Sequence, residues 1–147
     1  MDTIVRNYTY IMIAKNLCAK DFQQIRYKLE NLDDKSILAI STLQYRSVTI
    51  SLILGLACGL LAGPAYYVKK YVFAIIQTIV IVLAYFYVFY IYGVAYNDYD
   101  AEINLCSIIF ELLSVLTIFA FWIYNICCAK KWAQEYNYHL ITNALNQ

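Results

Sequence analysis

Residues 47–68 read SVTISLILGLACGLLAGPAYYV, and within them Ser47, Ser51, Gly55, Gly59 and Gly63 recur at every fourth position. A spacing of four stacks residues on one helix face. Where their side chains are small, two backbones approach closely enough to gain dispersion contacts that lipid does not offer. The stretch therefore predicts a membrane helix built to pack. Two further stretches, 71–96 and 103–128, are apolar and long enough to span. The whole chain reads as an all-α membrane protein. It comprises an N-terminal amphipathic arm over 1–46, a membrane domain over 47–128 with about three transmembrane helices, and a short polar C-terminal helix or tail over 129–147.

Composition agrees, since 147 residues with 63% hydrophobic, 14% charged and a single proline lie far from a soluble average. A net charge of +1, with no Gly-rich phosphate loop and no basic surface interleaved with aromatics, argues against nucleic acid as a partner. The first 46 residues mix acids and bases and lack an apolar core with a cleavage site, so no signal peptide is expected and the first membrane segment directs insertion.

The break after the first span is tight. Gly63-Pro64 marks it and Lys69-Lys70 closes it, so the first two helices are expected to form an antiparallel hairpin with Tyr66 and Tyr67 at headgroup level. The second break, Asn97 to Glu102, is acidic, and Asp98 or Asp100 can cap the third helix. Seven of the eleven basic residues precede the first span, which places the N-terminus in the cytoplasm. Three crossings then put the C-terminus outside, with both lysine pairs outside as well. A re-entrant segment in place of one span returns both termini to the cytoplasmic side.

In the arm, Tyr8, Ile11, Lys15, Cys18, Phe22, Ile25, Leu29 and Leu32 recur with gaps of three and four, a coiled-coil-like stripe interrupted by Lys15. It reads either as a self-association or partner-docking helix, or as an amphipathic helix lying on the membrane or folding back on Ile37 to Leu43. Asn7-Tyr8-Thr9 matches a glycosylation acceptor, read as chance without a secretory signal.

The middle of the chain resembles the TM-two domain family, a membrane hairpin with a glycine-rich turn. The resemblance rests on Leu54-Gly55-Leu56 through Gly59 to Gly63 and Tyr66-Tyr67, then Phe73-Ala74-Ile75-Ile76-Gln77, an exit at Trp122-Ile123-Tyr124-Asn125, and a tail with Glu135, Asn137 and Leu140. This chain departs from the pattern at the charged turn pair, here Pro64-Ala65, at the exit acid, here Asn125, and in an inserted stretch over Tyr85 to Glu102. The resemblance implies a divergent member: a packed hairpin with a cytoplasmic helical arm, and no biochemical activity to inherit. The glycine ladder itself fits either intramolecular packing of that hairpin or a homo-oligomer interface.

Asn104, Ser107, Glu111 and Ser114 fall on one stripe of the third span, with Glu111 the sole ionisable group inside it. A buried carboxylate must be protonated, paired or wet, so the stripe reads as interhelical hydrogen bonding, as a pore wall, or as a group reaching the interface. Tyrosine is abundant, with 16 residues, and suits the water boundary, while some rings could bond Glu111 or Gln77. The five cysteines have no metal-site spacing, His139 lies in a polar tail, and no nucleophile or paired-carboxylate motif is present. An enzyme is not expected, nor any cofactor. The reading that follows is a non-enzymatic membrane interaction or assembly module, with the bilayer around it and a protein partner met through the arm. Two alternatives remain: a homo-oligomeric pore lined in part by the Glu111 stripe, and an immunity-type protein that blocks a membrane toxin.

Overall fold

The computed structural model describes residues 3–97 and 105–146. Those residues form seven helices and no strand: α1 (Thr3–Asn16), α2 (Ala19–Glu30), α3 (Asp34–Ser41), α4 (Val48–Cys58), α5 (Gly63–Tyr67), α6 (Tyr71–Asn97) and α7 (Leu105–Leu145). The chain divides into two compact units. One joins the two ends of the chain, up to Ser51 and from Lys130; the other runs from Leu52 to Ala129.

In the first unit, α1 packs against α2 and α3. Its core is Ile13, Leu17, Ile25, Leu29 and Ile40, closed by Ile141 from the C-terminal part of α7. The expected continuous stripe is corrected here. α1 stops at Asn16, whose side-chain amide turns back to donate to Met12 O, and the chain is extended at Cys18 before α2 begins. Ile25 and Leu29 are buried and Phe22 and Leu32 half-buried, but Tyr8, Ile11 and Cys18 are exposed; α1 buries Thr9 and Ile13 instead, and Leu17 just after it is buried too. Arg6 Nη2 donates to Glu30 O, the last carbonyl of α2, and to Leu32 O just beyond the helix. Asp33 caps α3 by accepting from Ser36 N, and the Ser36 hydrogen bonds hold its carboxyl below the ordinary carboxylate value. The Tyr45 hydroxyl donates to Ile40 O, and burial pushes its ionisation well above the usual phenol range.

The polar segment expected after 128 is a continuation of α7, which runs unbroken to Leu145. No glycine or proline interrupts 105–145, and Ala129, Ala133, Asn137 and Ile141, spaced by four, are all fully buried. A solvated tail would have no reason to hold that register.

In the second unit, α6 covers the stretch expected as the second span, and its part Tyr71–Ile91 is the apolar candidate. α6 and α7 are long and apolar enough to cross a bilayer, and only 17% and 11% of their most apolar windows is buried within the protein. A core helix of a soluble protein would hide most of that surface. Both are candidate membrane spans. The predicted first span is not one helix. α4 ends at Cys58, having risen about 16 Å against a hydrocarbon core of roughly 30 Å. Proline at 64 has no N–H for the carbonyl four residues back, and its ring clashes there, so the helix cannot run through it. The chain turns over 59–62, with Leu61 N donating to Cys58 O and Ala62 N to Gly59 O. It restarts as α5 with Pro64 in the first turn. α5 packs on α6 and closes at Lys69-Lys70 as expected, through a Schellman motif: Lys70 N donates to Ala65 O and Lys69 N to Tyr66 O, with Lys69 at φ 62°.

Candidate functional site

Breaking a helix among apolar segments frees backbone carbonyls, and in a water-poor environment each must find a donor from a neighbouring element. Here two side chains supply them. Gln77 of α6, 1% exposed, donates from Nε2 to Gly59 O at 3.1 Å. Trp122 of α7 donates from Nε1 to Leu56 O at 3.2 Å. Asn125, one turn beyond Trp122 and fully buried, ties the two long helices together by donating from Nδ2 to Gln77 Oε1 at 2.9 Å and to Phe121 O at 2.8 Å. Those two acceptors fix which end of the Asn125 amide is which. Its Oδ1 is left buried without a protein partner.

The glycines make this clasp fit. A Cβ at Gly55 would lie 3.3 Å from Ile126 Cα and 3.5 Å from Ala129 Cβ, so the absent side chain is where α7 approaches. At Gly59 a Cβ would collide with Gly55 O and sit 2.7 Å from Trp122 Cδ1. At Gly63 it would meet Cys58 Cβ at 2.8 Å, inside the turn itself. Gly55 and Gly59 therefore lie against α7, where the expectation was the second helix. Gly63 lies beyond the break at 59–62, off the helix that carries Gly55. At the start of α4, Ser47 Oγ accepts from Ile50 N and Ser51 is buried.

The remaining candidates are not brought together. Asn104 lies outside the described residues, as do Asp98 and Asp100, and the Ser107 side chain is likewise not described. Ser114 Oγ and Thr117 Oγ1 donate to Phe110 O and Leu113 O of their own helix, which satisfies them without a second helix. Glu111 is half-buried and has no hydrogen bond or ion pair with a described residue. Tyr66 meets Thr78 across the α5–α6 turn at 3.5 Å, while Pro64 is buried and Tyr67 half-buried. The tyrosine expected to bond Gln77 is replaced by Asn125.

No family model, curated protein or solved structure matches this chain.

What sequence reasoning missed is the joint role of Gln77, Trp122 and Asn125. A usable signal was present: Gln77 and Asn125 are amides inside otherwise apolar runs, and an amide there needs a partner. The first unit holds another buried amide, in a more polar stretch of α7. Asn137, fully buried on α7, donates to Asn16 O at 3.2 Å and Arg46 O at 2.9 Å, and accepts from Arg46 N at 2.7 Å. One side chain thus satisfies the end of α1 and the segment that leads into α4. Apart from the Asn125–Gln77 bond, the hydrogen bonds these side chains make go to backbone groups.

Proposed function

We propose that the protein is a non-enzymatic integral membrane module that crosses the bilayer twice, through α6 and α7, and presents its first unit on the cytoplasmic face. The observation that carries this reading is the bonding of Asn137 to Asn16 and Arg46, with Ile141 in one core with Ile13. Segments from before α4 and from after the α7 apolar stretch share a body, so both lie on one side of the membrane. An even number of crossings follows, with α4 and α5 as a re-entrant excursion held by the Gln77–Trp122–Asn125 clasp.

Charge supports the same topology. With two crossings all eleven basic residues fall on one side, including Lys69-Lys70 and Lys130-Lys131, and the connection from Asn97 to Asn104 carries none. That is the asymmetry expected for a cytoplasmic first unit. The conflict created by three spans disappears. A distant relation to the TM-two domain family, with its cytoplasmic arm before a membrane hairpin, fits this arrangement and is part of the proposal.

The approach of α7 to Gly55 and Gly59 supports packing of these positions within one chain over packing against a second copy. The test is subunit number in nanodiscs together with ion flux in liposomes. A monomer without flux supports the module. A discrete assembly of four or more whose flux falls in Glu111→Gln overturns it in favour of the pore.

A further inference from the structure

A groove of about 810 Å³ opens in the first unit, within the size range of ligand sites. Its polar wall includes Lys15, Lys130, Thr49 and Gln134, its apolar wall Ile11 and Val48, and no acidic residue lines it. Neither lysine has an ion-pair partner among the described residues, and both are exposed. The first turn of α4 forms part of the wall through Val48 and Thr49. Lys130 is the first basic residue after the apolar stretch that ends at Ala129, so a spanning α7 brings it to headgroup depth. On the groove's outer side the face of α1 is apolar and uncovered, with Ile4, Tyr8 and Ile11 at 79%, 67% and 67% exposure.

We infer that this groove binds one anionic phospholipid of the cytoplasmic leaflet, its phosphate held by Lys15 and Lys130 and its upper chain lying along Tyr8 and Ile11. The charge complementarity selects the occupant: two ammonium groups with no acidic neighbour in the groove favour an anion, and the adjoining apolar face favours an anion that carries hydrocarbon. A neutral lipid satisfies only the second need and free phosphate only the first. An acidic protein segment lacks the acyl chain that fits Tyr8 and Ile11. The inference rests on the proposal that α7 crosses the membrane.

The test uses the full-length chain in nanodiscs of phosphatidylcholine with or without phosphatidylglycerol, and native mass spectrometry of the released protein to count retained lipid. The expected result is one phosphatidylglycerol per chain, retained less as salt rises. Lys15→Gln/Lys130→Gln should weaken retention by roughly thirtyfold, at about fivefold for each lysine near a charged surface. Lys28→Gln/Lys35→Gln, outside the groove, should leave it unchanged, and Lys15→Arg/Lys130→Arg should preserve it. Equal retention of phosphatidylcholine, unchanged retention in the Lys15→Gln/Lys130→Gln variant, or displacement of the lipid by inorganic phosphate would each overturn the inference. A chain that inserts into the discs yet shows no preference removes the lipid site alone, whereas a chain that fails to insert removes the membrane reading with it.

Discussion

Replacing Gln77 by Leu keeps the volume of the side chain and removes both of its hydrogen bonds, the donation to Gly59 O at 3.1 Å and the acceptance from Asn125 Nδ2 at 2.9 Å. Neither partner is left entirely alone, because Gly59 O still accepts from Ala62 N and Asn125 Nδ2 still reaches Phe121 O. The expected loss is therefore moderate. Interhelical hydrogen bonds in membrane proteins contribute about 0.6 kcal/mol on average and up to about 1.7. Two of them give roughly 1–3 kcal/mol. Lipid is as apolar as leucine, so little hydrophobic gain offsets the loss. The decisive quantity is the coupling with Asn125→Leu, measured by a double-mutant cycle on reversible unfolding in mixed micelles with helicity as the signal. A coupling near 1 kcal/mol is expected, Asn125→Leu costing less once Gln77 is gone. Additive losses would refute a direct bond between the two amides. An unaltered stability in Gln77→Leu would refute the idea that the broken helix needs a cap at all.

Three more perturbations probe other parts of the account. Gly59→Ala should destabilise the apolar unit, since the added methyl collides with Gly55 O and crowds a Trp122 ring already tied to Leu56, whereas Gly93→Ala meets nothing within 4 Å and should gain about 0.5–1 kcal/mol of helix stability; the same unfolding assay ranks them. Asn137→Leu removes three hydrogen bonds, should cost about 3 kcal/mol at roughly 1 kcal/mol each, and should make the chain between α1 and α4 cleavable by protease while α6 stays protected. The Asp33 carboxyl is depressed in the folded chain, so its capping contribution is complete above the unfolded value of about 4 and disappears as pH falls through the lower folded value; amide exchange in α3 should quicken in acid, and Asp33→Asn should flatten that dependence.

The parts of the fold that sequence made legible are those governed by a single strong pattern. α6 is an unbroken apolar run with a tight turn before it, and its bounds follow directly. The break in 47–68 was harder to see because Pro64 signals a stop without saying where the helix ends. The answer depends on donors from Gln77 and Trp122, which lie 18 and 66 residues from their acceptors. The arm misled for a different reason. α1 carries apolar residues on both sides, Ile4, Tyr8 and Ile11 on one and Ile13 on the other, with Leu17 buried just after it, so a three-four spacing can be threaded through the exposed side and continued past Cys18 into α2. Which side is buried is decided by Ile141, more than a hundred residues away. Similarly, nothing local distinguishes a polar tail from a helix that returns to complete a core.

The central claim is that both ends of the chain lie on one side of the membrane. Reporter fusions at the N- and C-termini, each read for cytoplasmic or external activity in intact cells, test it most directly. The account predicts that both report the cytoplasmic side. One reporter inside and the other outside would restore three crossings and contradict the shared body built around Asn137.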